Sequence, residues 1–236
     1  VVTALEQRFL EPDAPEAEQR RGDPPRLSFL RHLCHRLGLI HLRGGRLKPS
    51  PDPAQEWLQA GRGEQLRRFQ EAWRDDPHWN ELWRVPSLRC EDTGWRNDPR
   101  AARRRLLSHL ARCPVDQWLS ISSFIAAVKA TDPDWLRPDG DYDSWYIRDA
   151  ASGRYLMGFA HWDQVEGRLI AYFLTAPLHW LGIVSLGYSG EESAPASGCR
   201  SFRLTPWGAA FLGLGAPPAD PPSQPLHIQP DLTVLV

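Results

Sequence analysis

Several common signatures are missing from this chain, and each absence removes a class of function. The four cysteines (Cys34, Cys90, Cys113, Cys199) lie far apart with no C-x-x-C pair, which argues against a zinc ribbon or a dithiol redox motif and fits a reducing compartment. No long apolar run and no leader-like segment occurs, so the expected setting is cytoplasmic, with no membrane partner. The phosphate-cradling pattern G-x-x-x-x-G-K-[S/T] is absent, and no serine sits in a G-x-S-x-G turn. The expectation is therefore a non-catalytic chain without cofactor or metal. Lysine is scarce: only Lys48 and Lys129 stand among 28 basic residues, a bias that fits a GC-rich genome as well as a function.

What is present is a soluble composition with heavy punctuation. The 236 residues include 22 Pro, 18 Gly and 11 Trp, which implies short elements, many turns and Trp-filled junctions. The formal net charge of -1 is unevenly divided. Residues 1–112 carry 21 Lys and Arg against 16 Asp and Glu, and residues 113–236 carry seven against 13. A polyanion would therefore find its contact in the N-terminal half. The ends, Val1 and the apolar Leu232–Val236, read as cut from a longer protein.

One pattern occurs twice. An apolar helix runs into Leu37-Gly38-Leu39-Ile40, followed by Arg43-Gly44-Gly45-Arg46 and Leu47-Lys48-Pro49; a second runs into Leu181-Gly182-Ile183-Val184, followed by a polar loop and Ser201–Pro206. Glycine ends a helix through its left-handed conformation, and a Gly-Gly pair suits a tight hairpin. A helix stopped by glycine and followed by a two-stranded ribbon is how a winged-helix domain ends. The expected fold is thus mainly α with small β-hairpins (α+β), as tandem winged-helix modules. The first spans 1–75 and a Trp-rich junction covers 76–97. The second, 98–215, carries an insertion at about 131–161, and a Pro-rich linker with a truncated segment fills 216–236.

Local signals set the elements. Pro24-Pro25 precede a helix at about Leu27–Leu37 with Leu30, Leu33, Cys34 and Leu37 on one face; Asp52-Pro53 and Asn97-Asp98-Pro99 start others. In Arg100–Arg112 the stripe Ala102, Leu106, Leu107, Leu110 faces inward and Arg103, Arg104 and Arg105 outward. Trp118–Ile121 reads as a strand, and Ser122 as the cap of Ser123–Ala130. Within the insertion, Trp145–Ile147 and Tyr155–Met157 suggest a hairpin. Trp162–Leu181 is an apolar helix broken by Pro177.

The span Leu33–Trp73, the span Trp162–Gly208 ending Phe-Arg-Leu-Thr-Pro-Trp-Gly, and the tail His227–Leu232 together resemble the helicase-associated region of bacterial XPB-like helicases and its uncharacterised stand-alone relatives. The resemblance implies a winged-helix module linked to DNA transactions and supplies no catalytic residues.

A winged helix offers its third helix to the major groove and its wing to the backbone. The candidate nucleic-acid contacts are accordingly Arg31, His32, His35 and Arg36 on the first helix, Arg43, Arg46 and Lys48 on the hairpin, and Arg103 and Arg104 in the later run. Trp79, Trp83 and Trp95 lie in irregular chain and are candidates for base stacking or a protein interface, whereas Trp57 and Trp73 sit on apolar helix faces and read as core. His32, Cys34 and His35 lack a second ligand pair at finger spacing. Asp139-Gly140-Asp141-Tyr142-Asp143 fails the calcium-loop pattern at Ser144 and Ala150 and reads as an acidic turn. Two functions compete: a DNA-binding accessory module that grips duplex backbone, or a protein-interaction scaffold of the same fold. One exposed basic face would favour the first, and acidic neutralisation of it the second.

Overall fold

The computed structural model describes residues 24–188, 199–220, 227–228 and 234–235. The chain is a mixture of helices and small antiparallel sheets. The first described helix, α1 (Pro25–Arg36), starts with Pro in its first turn, where the missing N–H costs nothing. It buries Ser28, Phe29 and Leu33, while Leu30, Cys34 and Leu37 are only half-buried. Gly38, at φ +68°, reverses the chain: its N–H donates to His35 and that of Leu39 to Cys34. The hairpin β1 (Ile40–Arg43) and β2 (Arg46–Pro49) follows at once. Gly44 and Gly45 both have positive φ, +62° and +76°, as a two-residue turn matched to strand twist requires. Helices α2 (Pro51–Gln59) and α3 (Arg62–Arg74) come next, with Trp57 against Phe69 at 4.5 Å.

The cap at Gly38 recurs at Gly182. Its φ is +65°, and bonds run from Gly182 N–H to His179 and from Ile183 N–H to Leu178. This repetition is the structural content of the doubled Leu-Gly pattern. Between the two lie β3 (Leu88–Cys90), α4 (Pro99–Leu110), β4 (Trp118–Ser120) and α5 (Ile121–Thr131). Asp98 caps α4 by accepting from the Arg100 N–H. The cap of α5 is Ser120, which accepts from the Ser123 N–H, rather than the expected Ser122; the helix begins at Ile121 because that residue turns inward.

A π-helical turn at Asp163–Gly167 leads into α6 (Arg168–Thr175). The helix breaks at Ala176 (φ -119°, ψ -97°) before α7 (Pro177–Trp180), as Pro177 dictates. β6 (Val184–Tyr188) and β7 (Cys199–Leu204) then pair, and β4 adds to the other edge of β7 for the order β4-β7-β6. Thr205 caps α8 (Pro206–Phe211), and β8 (His227–Ile228) pairs with β9 (Val234–Leu235).

The insertion departs from expectation. β5 (Ile147–Asp149) does not pair chiefly with Tyr155–Met157, which contribute one bridge from Tyr155 to Arg148. Its partner is β3, with Leu88 opposite Asp149 and Cys90 opposite Ile147. The junction and the insertion thus form one small sheet. Core side chains from α1, α3, α4, α6 and β7 form one continuous cluster: Phe29 meets Trp180 at 5.4 Å, and Trp73 meets Phe173 at 6.4 Å.

Candidate nucleic-acid interface

The register of the first hairpin determines which side chains can act together. His41 lies opposite Lys48 and Arg43 opposite Arg46. Facing residues of an antiparallel pair project from the same side, and alternate residues along each strand do likewise. His41, Arg43, Arg46 and Lys48 therefore share one face, and Ile40, Leu42, Leu47 and Pro49 the other. Arg43, Arg46 and Lys48 are exposed. Neither Arg43 nor Lys48 forms an ion pair among the described residues. The His41 ring contacts the Ser50 hydroxyl at 3.0 Å, which steadies the hairpin base.

The helix before the hairpin is committed differently. His32 Nε2 bonds the carboxylate of Asp76, which is inaccessible to solvent, and Arg36 Nε reaches the same group at 3.1 Å. The backbone N–H groups of Trp79 and His78 donate to it as well. Burial alone would raise the Asp76 carboxyl, but the bonds and charge from His32, with the two N–H groups, outweigh it and hold it at about 2. His32 is thus a structural tie, not a groove contact. Arg36 is 41% exposed yet tethered, Arg31 is half-buried, and His35 is exposed and makes no side-chain bond among the described residues. The signal for this hub lay in Asp75-Asp76 at the C-terminus of α3, where the helix dipole disfavours carboxylates lacking a cationic partner.

Arg103 is withdrawn as a contact. Its side chain has no solvent exposure and forms a two-armed pair with Glu81 at 3.0 Å on each arm. Its remaining donors meet the carbonyls of Trp73, Asp76 and Trp79. Arg103 precedes Leu106, Leu107 and Leu110 by three, four and seven residues, so it stands on the apolar stripe of α4. Arg104 remains outward, 60% exposed, with Asp98 at 4.0 Å, while Arg105 pairs with Asp132. On α3, Arg67 and Arg68 are neutralised by Glu64, Glu71 and Glu56.

The tryptophans also separate. Trp79 is buried, packed on Phe29 at 5.1 Å and beneath the Arg84 guanidinium at 3.6 Å, and is withdrawn as an interface residue. Trp83 and Trp95 are half-buried and stack at 5.6 Å, and Trp95 stacks in turn on buried Trp145 at 4.9 Å. Their faces are thus largely used by one another. Trp73 is core, as expected. In the acidic turn, the Asp141 carboxylate accepts from the N–H groups of Asp143 and Ser144.

Among the described residues, no helix is long and apolar enough to cross a membrane. No family model matches the chain, nor does any curated protein or solved structure.

Proposed function

We propose that the chain is a non-catalytic, DNA-binding accessory module that holds duplex backbone with the β1–β2 hairpin. One observation carries the reading: the register that sets Arg43 beside Arg46 and His41 beside Lys48 on a single face. Three exposed cations on a protruding two-stranded ribbon suit phosphate contact and carry no base information. The fold supports the same reading. The succession α4, β4, α5, α6, β6, β7 with sheet order β4-β7-β6 supports reading this part as a winged helix, with the insertion between its second and third helices. The first helix-and-hairpin unit is read as a second such module, in line with the resemblance to helicase-associated regions. Its contact surface is the hairpin rather than the helix, because His32 and Arg36 are drawn to Asp76.

The test is a salt-titrated binding assay with duplex and single-stranded DNA. Arg43→Glu with Arg46→Glu is expected to weaken duplex binding similarly across sequences and to flatten the slope of log affinity against log salt by about 2. Unchanged affinity and slope would overturn the assignment.

A protein-interaction scaffold of the same fold is the second reading. It is favoured by Trp118, 51% exposed on edge strand β4 with the Arg203 guanidinium over its ring at 4.9 Å. An exposed aromatic flanked by Arg is the composition of a docking anchor. Under this reading Trp118→Ala abolishes partner capture while the hairpin variant leaves it intact.

A further inference from the structure

A second polar site lies in the insertion. Asp149, Ser152, Arg154, Tyr155, His161, Gln164 and Arg168 line a cavity of about 250 Å³. It is smaller than the roughly 300–1,000 Å³ that whole organic ligands occupy, and so takes a chemical group rather than a large molecule.

The bonding of its walls decides what kind of group. Asp149 is fully engaged: one oxygen accepts from the Ser152 N–H and hydroxyl, each at 2.9 Å, and the other from Arg168 Nη1 at 2.7 Å. These bonds, that from Arg168 foremost, hold its carboxyl far below the usual range, so it stays ionised and compensated. The neighbouring Glu91 is likewise taken up by Arg148 and by the Tyr155 hydroxyl at 3.0 Å. The carboxylates around the cavity therefore have their charge answered and offer little to a cation.

The unengaged groups are mostly donors. Among the described residues, the Arg154 guanidinium and the Gln164 amide make no side-chain hydrogen bond, and Arg168 retains Nε and Nη2. His161 Nδ1 lies 2.6 Å from the Met157 carbonyl and donates to it, which leaves Nε2 as the ring's other polar atom. With Arg168 offset by Asp149 and Arg148 by Glu91, one positive charge, that of Arg154, is left over. The loop presenting Arg154 is fixed at its base: the Asp149 N–H donates to the Arg154 carbonyl at 2.9 Å, and the Gly153 N–H to the Asp149 carbonyl at 2.8 Å. Donors held on a rigid frame around one uncompensated cation complement an acceptor-rich anion.

We infer that this cavity binds a small oxyanion, a single phosphate or carboxylate group, gripped by Arg154 and by the free edge of Arg168. The site is separate from the basic hairpin and does not depend on the DNA reading.

Calorimetric titration of the intact chain at constant ionic strength in chloride tests it, with inorganic phosphate, acetate and a nucleoside 5′-monophosphate as probes. Saturable binding with a dissociation constant on the order of 1 mM is expected for phosphate or acetate. Arg154→Gln should weaken it by about tenfold or more, and Arg154→Lys should recover part of the loss. Because the Arg154 side chain pairs with nothing among the described residues, both variants should unfold at the parent's urea concentration, separating loss of the site from loss of the fold. Tighter binding of the nucleotide than of phosphate would show that the group is read at the end of a larger molecule; equal binding would identify the free ion as ligand. Absence of saturable binding by all three probes, or binding unchanged in Arg154→Gln, would overturn the inference.

Discussion

Arg103 and Glu81 grip each other through two parallel 3.0 Å bonds, and neither side chain reaches solvent. The pair is embedded in further bonds: Glu81 also accepts from the Trp73 indole at 2.7 Å, and Arg103 closes three backbone carbonyls. Arg103→Met strands Glu81 and all three carbonyls, and is expected to cost about 3–5 kcal/mol in urea unfolding. Glu81→Gln keeps an acceptor for both partners and should cost less. Equal losses would show that the unpaired buried charge of Arg103 costs as much as the acceptors stranded by its removal.

Asp76 makes folding sensitive to acid. Its carboxyl falls from an ordinary 3.8 to about 2 in the folded chain, so the folded state holds the ionised form more firmly than the unfolded state does. That stability is fully present above pH 3.8 and is lost as pH falls through about 2. Asp76→Asn is expected to lose roughly 2 kcal/mol at pH 6 and to approach the parent near pH 2. A constant difference across this range would refute the linkage.

Glu166 acts in the opposite sense. It is buried on the π-helical turn with Arg137 Nε at 2.6 Å; burial pushes its carboxyl up to about 7, against the pull of Arg137. The folded state therefore binds a proton that the unfolded state has already released, and this contribution weakens as pH rises from about 4.5 to 7. Glu166→Gln should flatten the pH dependence of unfolding in that window. A slope identical to the parent's would exclude the effect.

Two glycines with different duties should respond differently to alanine. Gly38 needs only its positive φ, with open space around the position, and Gly38→Ala should cost about 1 kcal/mol. A Cβ at Gly208 would lie 2.1 Å from the Ile183 carbonyl oxygen, a backbone atom that cannot turn aside. Gly208→Ala is expected to cost about 3 kcal/mol or more, by forcing α8 off the Ile183 backbone that leads into β6. Comparison of thermal midpoints decides the order.

The features legible in the residues were local. The glycine caps, the Gly-Gly turn, the Asp98 start of α4 and the break at Pro177 each depend on a few neighbouring residues whose backbone preferences agree. The basic hairpin was legible for the same reason, since a two-residue turn dictates its register. Long-range choices were hidden. Nothing adjacent to Leu88–Cys90 indicates a partner near residue 148, and His32 gives no sign of Asp76 until the chain has folded. Arg103 is the intermediate case: its spacing placed it on the buried stripe of α4, but an arginine goes inward only where a carboxylate and carbonyls await it. Trp79 was obscured by its irregular surroundings, although core aromatics need no regular element to hold them.

The pairing of β3 with β5 carries a consequence for biosynthesis. Leu88 must wait for Asp149, about 60 residues later in translation. At about 5–20 residues per second, the ribosome leaves that strand edge without its mate for roughly 3–12 seconds. Nascent chains halted inside this interval are where premature association with foreign strands should be sought.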